Sequence, residues 1–114
     1  MKSTRWLSIA ALICGVAVGL GAYASHAVSG QSQQRLALAA LFAFAHGLAL
    51  IALAGRQSAL ANASKMIFLA GIGLFSGSLA CADLFATTTL AAPVGGSLLI
   101  FGWLLSAIDF WRDP

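Results

Sequence analysis

Charge is the scarcest commodity in this sequence. Only 8% of its 114 residues are Asp, Glu, Lys or Arg, against about a quarter in ordinary soluble domains. Six basic and three acidic side chains cannot cover a water-exposed surface of this size, which excludes a soluble globular protein. The basic residues are Lys2, Arg5, Arg35, Arg56, Lys65 and Arg112, scattered between apolar runs. Nucleic-acid binding needs such residues clustered, so no nucleic-acid partner is expected. The net charge of +3 reads instead as a membrane-orientation signal.

Cysteine is nearly as rare. Cys14 and Cys81 lie inside apolar runs, with no CxxC and no Cys/His spacing, so no metal centre is expected and both read as small apolar residues. Their predicted depths differ, which excludes a disulfide between them. HExxH, a phosphate loop, a Ser/His/Asp arrangement and paired catalytic carboxylates are all missing, and the chain does not read as an enzyme. Two histidines in a membrane bundle invite a haem reading. His26 and His46 fall roughly 15 Å apart in predicted depth, so they cannot grip one haem from opposite faces, and no cofactor is expected.

What the sequence has in abundance is long apolar runs. It is 61% hydrophobic, with mean hydropathy +0.95. Four segments emerge, at about 6–26, 36–54, 66–85 and 91–110, joined by short polar connections. Each is continuous rather than alternating, which favours helix over strand, and each suits a hydrocarbon core of roughly 30 Å at 1.5 Å rise per residue. In lipid only helices and closed barrels satisfy their backbone groups. The fold class predicted is all-α, an integral membrane four-helix up-down bundle, with residues 1–114 forming a single transmembrane domain. Lys2, Arg5, the apolar run and Ala22-Tyr23-Ala24 resemble a signal peptide. The run exceeds the usual length, and Gly15, Gly19 and Gly21 suit helix packing, so a retained first helix is expected. Five of the six basic residues fall on the side of the N- and C-termini, only Arg35 on the other. This predicts cytoplasmic termini, with Trp6 and Trp111 at the boundary.

Helices in lipid associate through small residues. Candidate packing stripes are Gly15, Gly19, Ala22 and His26 in the first segment, and Leu36, Ala40, Ala43 and Gly47 in the second. Gly73, Ser76, Ala80 and Asp83, flanked by Gly77, form the third, and Gly102, Ser106 and Asp109 the fourth. Pro93 suits a first helical turn, and Gly95 and Gly96 behind it admit a neighbouring backbone. His46 falls near the bilayer midplane, where a polar side chain should face the bundle interior and find a partner. Ser76 and Ser78 are the partners expected. His26, Asp83 and Arg35 approach one end of the bundle, where they would form a polar cluster.

Four motifs then stand in register: Gly21-Ala22-Tyr23-Ala24-Ser25-His26, Phe42 through Leu50 (FAFAHGLAL), Phe75-Ser76-Gly77-Ser78-Leu79, and Pro93-Val94-Gly95-Gly96 followed by Gly102-Trp103. Together they resemble the domain-of-unknown-function family 423. That resemblance implies a small four-helix protein of the bacterial inner membrane whose role is uncharacterised. Phe42 stands where the family tends to have tyrosine, and Asp83 where an apolar residue is usual. The function expected is structural, accessory to a larger membrane complex or in a homo-oligomer within the lipid bilayer. The alternative is a binder or conduit for a small ligand, lipid or proton, built on His46 and the His26/Asp83 cluster.

Overall fold

The computed structural model describes residues 2–113, which form four helices: α1 (Ser3–His26), α2 (Gly30–Leu53), α3 (Ala59–Phe85) and α4 (Ala92–Arg112). All four are long and apolar enough to cross a membrane. They are longer than the apolar runs. The polar residues from Gln31 to Arg35 continue α2 outward, and Ser58 caps α3 by accepting from the Ala61 N–H at 3.0 Å, well before the apolar run starts. Glutamine and arginine are good helix formers, and once their side chains reach water nothing obliges the helix to end where its apolar run does. The long axis of 45 Å therefore exceeds a hydrocarbon core of roughly 30 Å.

Each helix packs on its neighbour in sequence: α1 on α2, α2 on α3, α3 on α4. The pairings run antiparallel. An added Cβ on Gly47 would meet Cys14, and one on Gly21 would meet Ala40. Between α2 and α3, Arg35 meets Asp83, Phe42 meets Phe75 and His46 meets Phe68. Between α3 and α4, Gly71 lies against Leu99, Phe68 against Gly102 and Ser58 against Asp109. This is the expected up-down bundle.

The packing stripes of α2 and α4 lie where the sequence places them. Leu36, Ala40, Ala43, His46 and Gly47 are buried on α2, and Gly95, Leu99, Gly102, Ser106 and Asp109 on α4. That of α1 does not, and that of α3 does so at Ser76 but not at its glycines. The buried face of α1 is Trp6, Ala10, Ala17 and Ala24, while Gly15 and Gly19 face outward with nothing within 4 Å of an added Cβ. On α3 the core face is Ser64, Lys65, Phe68, Gly71, Ile72, Ser76 and Leu79, and Gly73 and Gly77 are open. The reason is physical. Lipid is as apolar as a bundle interior, so hydropathy does not separate the two faces of a membrane helix, and glycine spacing alone does not either.

The close approaches fall at other glycines. A Cβ on Gly95 would press into the backbone of Leu74 and Phe75, 2.7 Å from the Leu74 carbonyl carbon. One on Gly102 would fall 2.7 Å from the Phe68 ring, and one on Gly71 2.6 Å from Leu99. Gly96 is looser, 3.6 Å from the Phe75 ring. Pro93 occupies the first turn of α4, as expected.

These contacts separate the glycines experimentally. Gly95→Ala should destabilise the bundle by about 2 kcal/mol, since two backbones must part. Gly15→Ala should leave stability unchanged or raised by up to about 1 kcal/mol through helix propensity. Thermal unfolding in detergent checks both, and equal losses at the two sites would contradict the packing described.

Candidate functional site

The polar groups of the interior gather at three levels. At the middle is His46, 7% exposed on α2. Trp103 of α4 donates its indole Nε1–H to His46 Nε2 at 2.9 Å. His46 Nδ1 lies 2.8 Å from the carbonyl oxygen of Phe42, one turn back. An indole N–H only donates and a carbonyl only accepts. The imidazole is therefore the neutral tautomer with its proton on Nδ1. A second proton, on Nε2, would set two N–H donors face to face. Phe42, Phe68 and Trp103 surround the ring at centroid distances of 5.9, 5.4 and 5.8 Å. The serines expected as partners are elsewhere. Ser76 Oγ is buried without a hydrogen bond, and Ser78 Oγ donates to the Thr88 carbonyl at 3.4 Å. Trp103 is the residue that sequence reading missed, although it stands in the same motif as Gly102.

The second level is the end carrying both termini. Arg56, in the α2–α3 turn, donates from Nε to Asp109 Oδ2 at 2.7 Å and from an η-nitrogen to the Asp113 carbonyl, also at 2.7 Å. Ser58 donates to the other Asp109 oxygen while capping α3. The guanidinium stands 5.0 Å from the centre of the Phe110 ring. Lys65 is fully buried, with Nζ donating to the carbonyls of Arg56 at 2.7 Å and Ala54 at 3.5 Å. It thereby satisfies carbonyls left over at the end of α2. Trp6 of α1 lies 5.5 Å over the same ammonium. Trp6 is 2% exposed, so it closes the core at this end instead of sitting in the lipid boundary, while Trp111 is 89% exposed. All four helices meet in this knot. The sequence shows Arg56 and Lys65 only as charges near a turn; their partners lie about fifty residues away for Arg56 and in backbone carbonyls for Lys65.

The third level is the opposite end. Asp83 accepts from Ser32 Oγ at 3.1 Å and pairs with Arg35 at 3.7 Å. Its second oxygen is buried without a partner. Arg35 and Asp83 do come together, but His26 does not join them. It is exposed, and among the described residues it has no ion-pair partner. The cause lies in α1, whose backbone runs beside α2 and not beside α3; Trp6 reaches Lys65 at the other end, but the last turn of α1 does not reach the end of α3. Cys14 and Cys81 are free thiols. Among the described residues no group of three His, Cys, Asp or Glu side chains could hold a metal ion.

The His46–Trp103 bond carries a measurable coupling. Trp103→Phe should cost about 1 kcal/mol in wild type and markedly less in a His46→Leu background, because the hydrogen bond is already gone. A double-mutant cycle in detergent gives the difference, and strictly additive losses would show that the two side chains are not bonded.

With this geometry in hand, comparison with known proteins is informative. No solved structure matches the chain. A UPF0382 membrane protein of Staphylococcus aureus is 34% identical over 94% of the chain and 95% of its own length. One of Staphylococcus epidermidis is 33% identical over 90% of the chain and 92% of its own. A UPF0382 membrane protein of Haemophilus influenzae is 30% identical over 96% and 95%. Residues 20–96, which carry His26, His46, the FSGSL stretch and Pro93 to Gly96, match the family described as "Protein of unknown function (DUF423)". The chain is an integral membrane four-helix bundle and belongs to the DUF423 family.

Proposed function

We propose that this protein is a non-catalytic packing subunit of a larger assembly in the bacterial inner membrane. The observation that supports this most is the state of His46. It is the ionisable ring nearest the middle of the bundle, and both of its nitrogens are engaged, Nε2 by Trp103 of α4 and Nδ1 by the Phe42 carbonyl of its own helix. A proton carrier or axial ligand needs a free nitrogen. Asp109, Arg56 and Lys65 are likewise consumed in the knot. The open small-residue face of α1, with Gly15 and Gly19, remains available to a neighbouring helix.

The orientation that fits is N- and C-termini in the cytoplasm. Five of the six basic residues gather at the terminal end, and the rule counts lysine and arginine whether or not they are paired. Alkaline phosphatase fused after Arg112 should be inactive and an insertion at 86–91 active. The reverse pattern would refute the orientation.

The accessory role is tested by purification from native membranes in mild detergent. A membrane protein should co-purify at fixed stoichiometry. Gly15→Leu together with Gly19→Leu should release it without lowering the melting temperature of the bundle. A partner-free preparation, or a partner retained by the double variant, would count against this reading.

A further inference from the structure

The chain has six basic side chains, and Arg35, Arg56 and Lys65 are spent inside the bundle. Arg35 pairs with Asp83, Arg56 with Asp109, and Lys65 donates to backbone carbonyls. Among the described residues Lys2, Arg5 and Arg112 have no ion-pair partner, and all of them stand at the end that carries both termini. Their surroundings differ. Arg112 shares a hollow with Asp109 and Asp113, so carboxylates answer its charge. Lys2 and Arg5 line an open hollow of 650 Å³ together with Ser3, Thr4 and Gln57, and no carboxylate lines it. Asp113 lines a neighbouring hollow, with Arg56 and Gln57. Lys2 and Arg5 are the unopposed positive charges of this end.

Depth decides what meets them. The long axis of 45 Å spans the hydrocarbon and both headgroup layers of a bilayer, together about 40–45 Å. Trp6 is buried, and the next residue, Leu7, is the first apolar side chain of α1 turned outward, 42% exposed. The hydrocarbon boundary therefore falls just past Arg5. Lys2 and Arg5 stand in the headgroup layer, level with phospholipid phosphates. Their chemistry suits a phosphate. Lysine brings a compact charge, and arginine a fork that takes two oxygens at once. The first turn of α1 holds no acidic residue and has no side-chain cap, so its N–H groups are left to an outside acceptor. Gln57, exposed in the α2–α3 turn, adds a side-chain amide to the same hollow.

We propose that this hollow holds the headgroup of one anionic phospholipid, its phosphate between Lys2 and Arg5 and its acyl chains running down beside α1. A zwitterionic lipid carries an ammonium that cancels much of the attraction; a lipid of net negative charge does not. A soluble acidic peptide would meet the same two cations. The hollow, however, opens where lipid phosphates already stand, and the exposed apolar Leu7 follows at once for the chains below them. Gly15 lies roughly 15 Å further along the helix than Arg5, so the headgroup site is separate from the α1 face offered to a neighbouring helix.

The test uses the whole protein, delipidated in a neutral detergent and titrated with phosphatidylglycerol or phosphatidylcholine, with bound lipid counted by native mass spectrometry. One phosphatidylglycerol should bind saturably and about thirtyfold tighter than phosphatidylcholine, the worth of two basic groups facing an anionic lipid. Lys2→Gln together with Arg5→Gln should erase that preference without changing the melting temperature, since both side chains are exposed. Lys2→Arg with Arg5→Lys, which keeps the charge, should retain it. Arg112→Gln, which removes one charge from the same end but outside the hollow, should also retain it. Equal affinity for the two lipids, or binding that does not saturate, would overturn the site. Loss of the preference in Arg112→Gln as complete as in the double variant would overturn the hollow as its seat. Displacement of the lipid by an equal concentration of inorganic phosphate or polyglutamate would overturn a phospholipid as the occupant.

Discussion

A carboxylate beside hydrocarbon has to be neutralised by its own protein, and the rest of this bundle is arranged around how Asp109 meets that requirement. Its side chain is 3% exposed. Water is therefore no substitute for Arg56 and Ser58, which hold one oxygen each. Both partners stand in the turn between α2 and α3, so satisfying Asp109 fixes the end of α4 against that turn. The turn is held in place in its own right. Ser58 caps α3, and the Arg56 carbonyl accepts from Lys65, whose buried ammonium is in turn roofed by Trp6. One ionic requirement thus determines where four helix ends sit. Breaking a well-enclosed ion pair by removing one partner costs more than the pair contributes, because the remaining charge is stranded. The knot is accordingly a device for register more than for net stability.

The His46–Trp103 bond extends the same logic to mid-depth. α2 and α4 are not backbone neighbours, yet these side chains reach past α3's Phe68 to connect them. With Gly71, Gly95 and Gly102 drawing α3 and α4 together, three helices form a closely fitted unit. α1 joins them mainly through α2, packing closely along Ala10, Ala17 and Gly47, with Trp6 reaching over Lys65 of α3. Polar bonds between membrane helices average below 1 kcal/mol. Their value here is positional: each admits one rotation of its helix, whereas apolar side chains pack or face lipid with little preference.

That difference explains how much was legible in the sequence. Helix number, antiparallel order and the buried stripes of α2 and α4 were readable, because apolar length, short connections and the polar residues His46 and Asp109 each point inward for a definite reason. The faces of α1 and α3 were not. Gly15, Gly19, Gly73 and Gly77 have ideal packing spacing and pack on nothing within the chain, while Ala10, Ala17 and Ala24 do the work unannounced. Small residues mark where a helix permits close approach, without saying whether the neighbour lies in the same chain. Partnerships were equally hidden. Asp83 found Arg35 as expected, but the pairing of His46 with Trp103 depends on how α4 is rotated, and nothing local to either residue reports that rotation.

The open glycines then acquire a meaning that the single chain cannot supply. Glycine inside a helix costs roughly 1 kcal/mol relative to alanine. At Gly95 or Gly102 the closeness of another helix offsets that cost, since alanine would not fit. At Gly15 and Gly19 alanine would fit freely, so nothing within the chain offsets it. Lipid does not offset it either, because acyl chains conform to alanine as readily as to glycine. Such positions make physical sense when something outside the chain approaches the backbone closely. Gly15, Gly19 and Gly73 are therefore the helical glycines whose cost no contact inside the bundle offsets, while the polar atoms of His46 and Asp109 are already engaged within it.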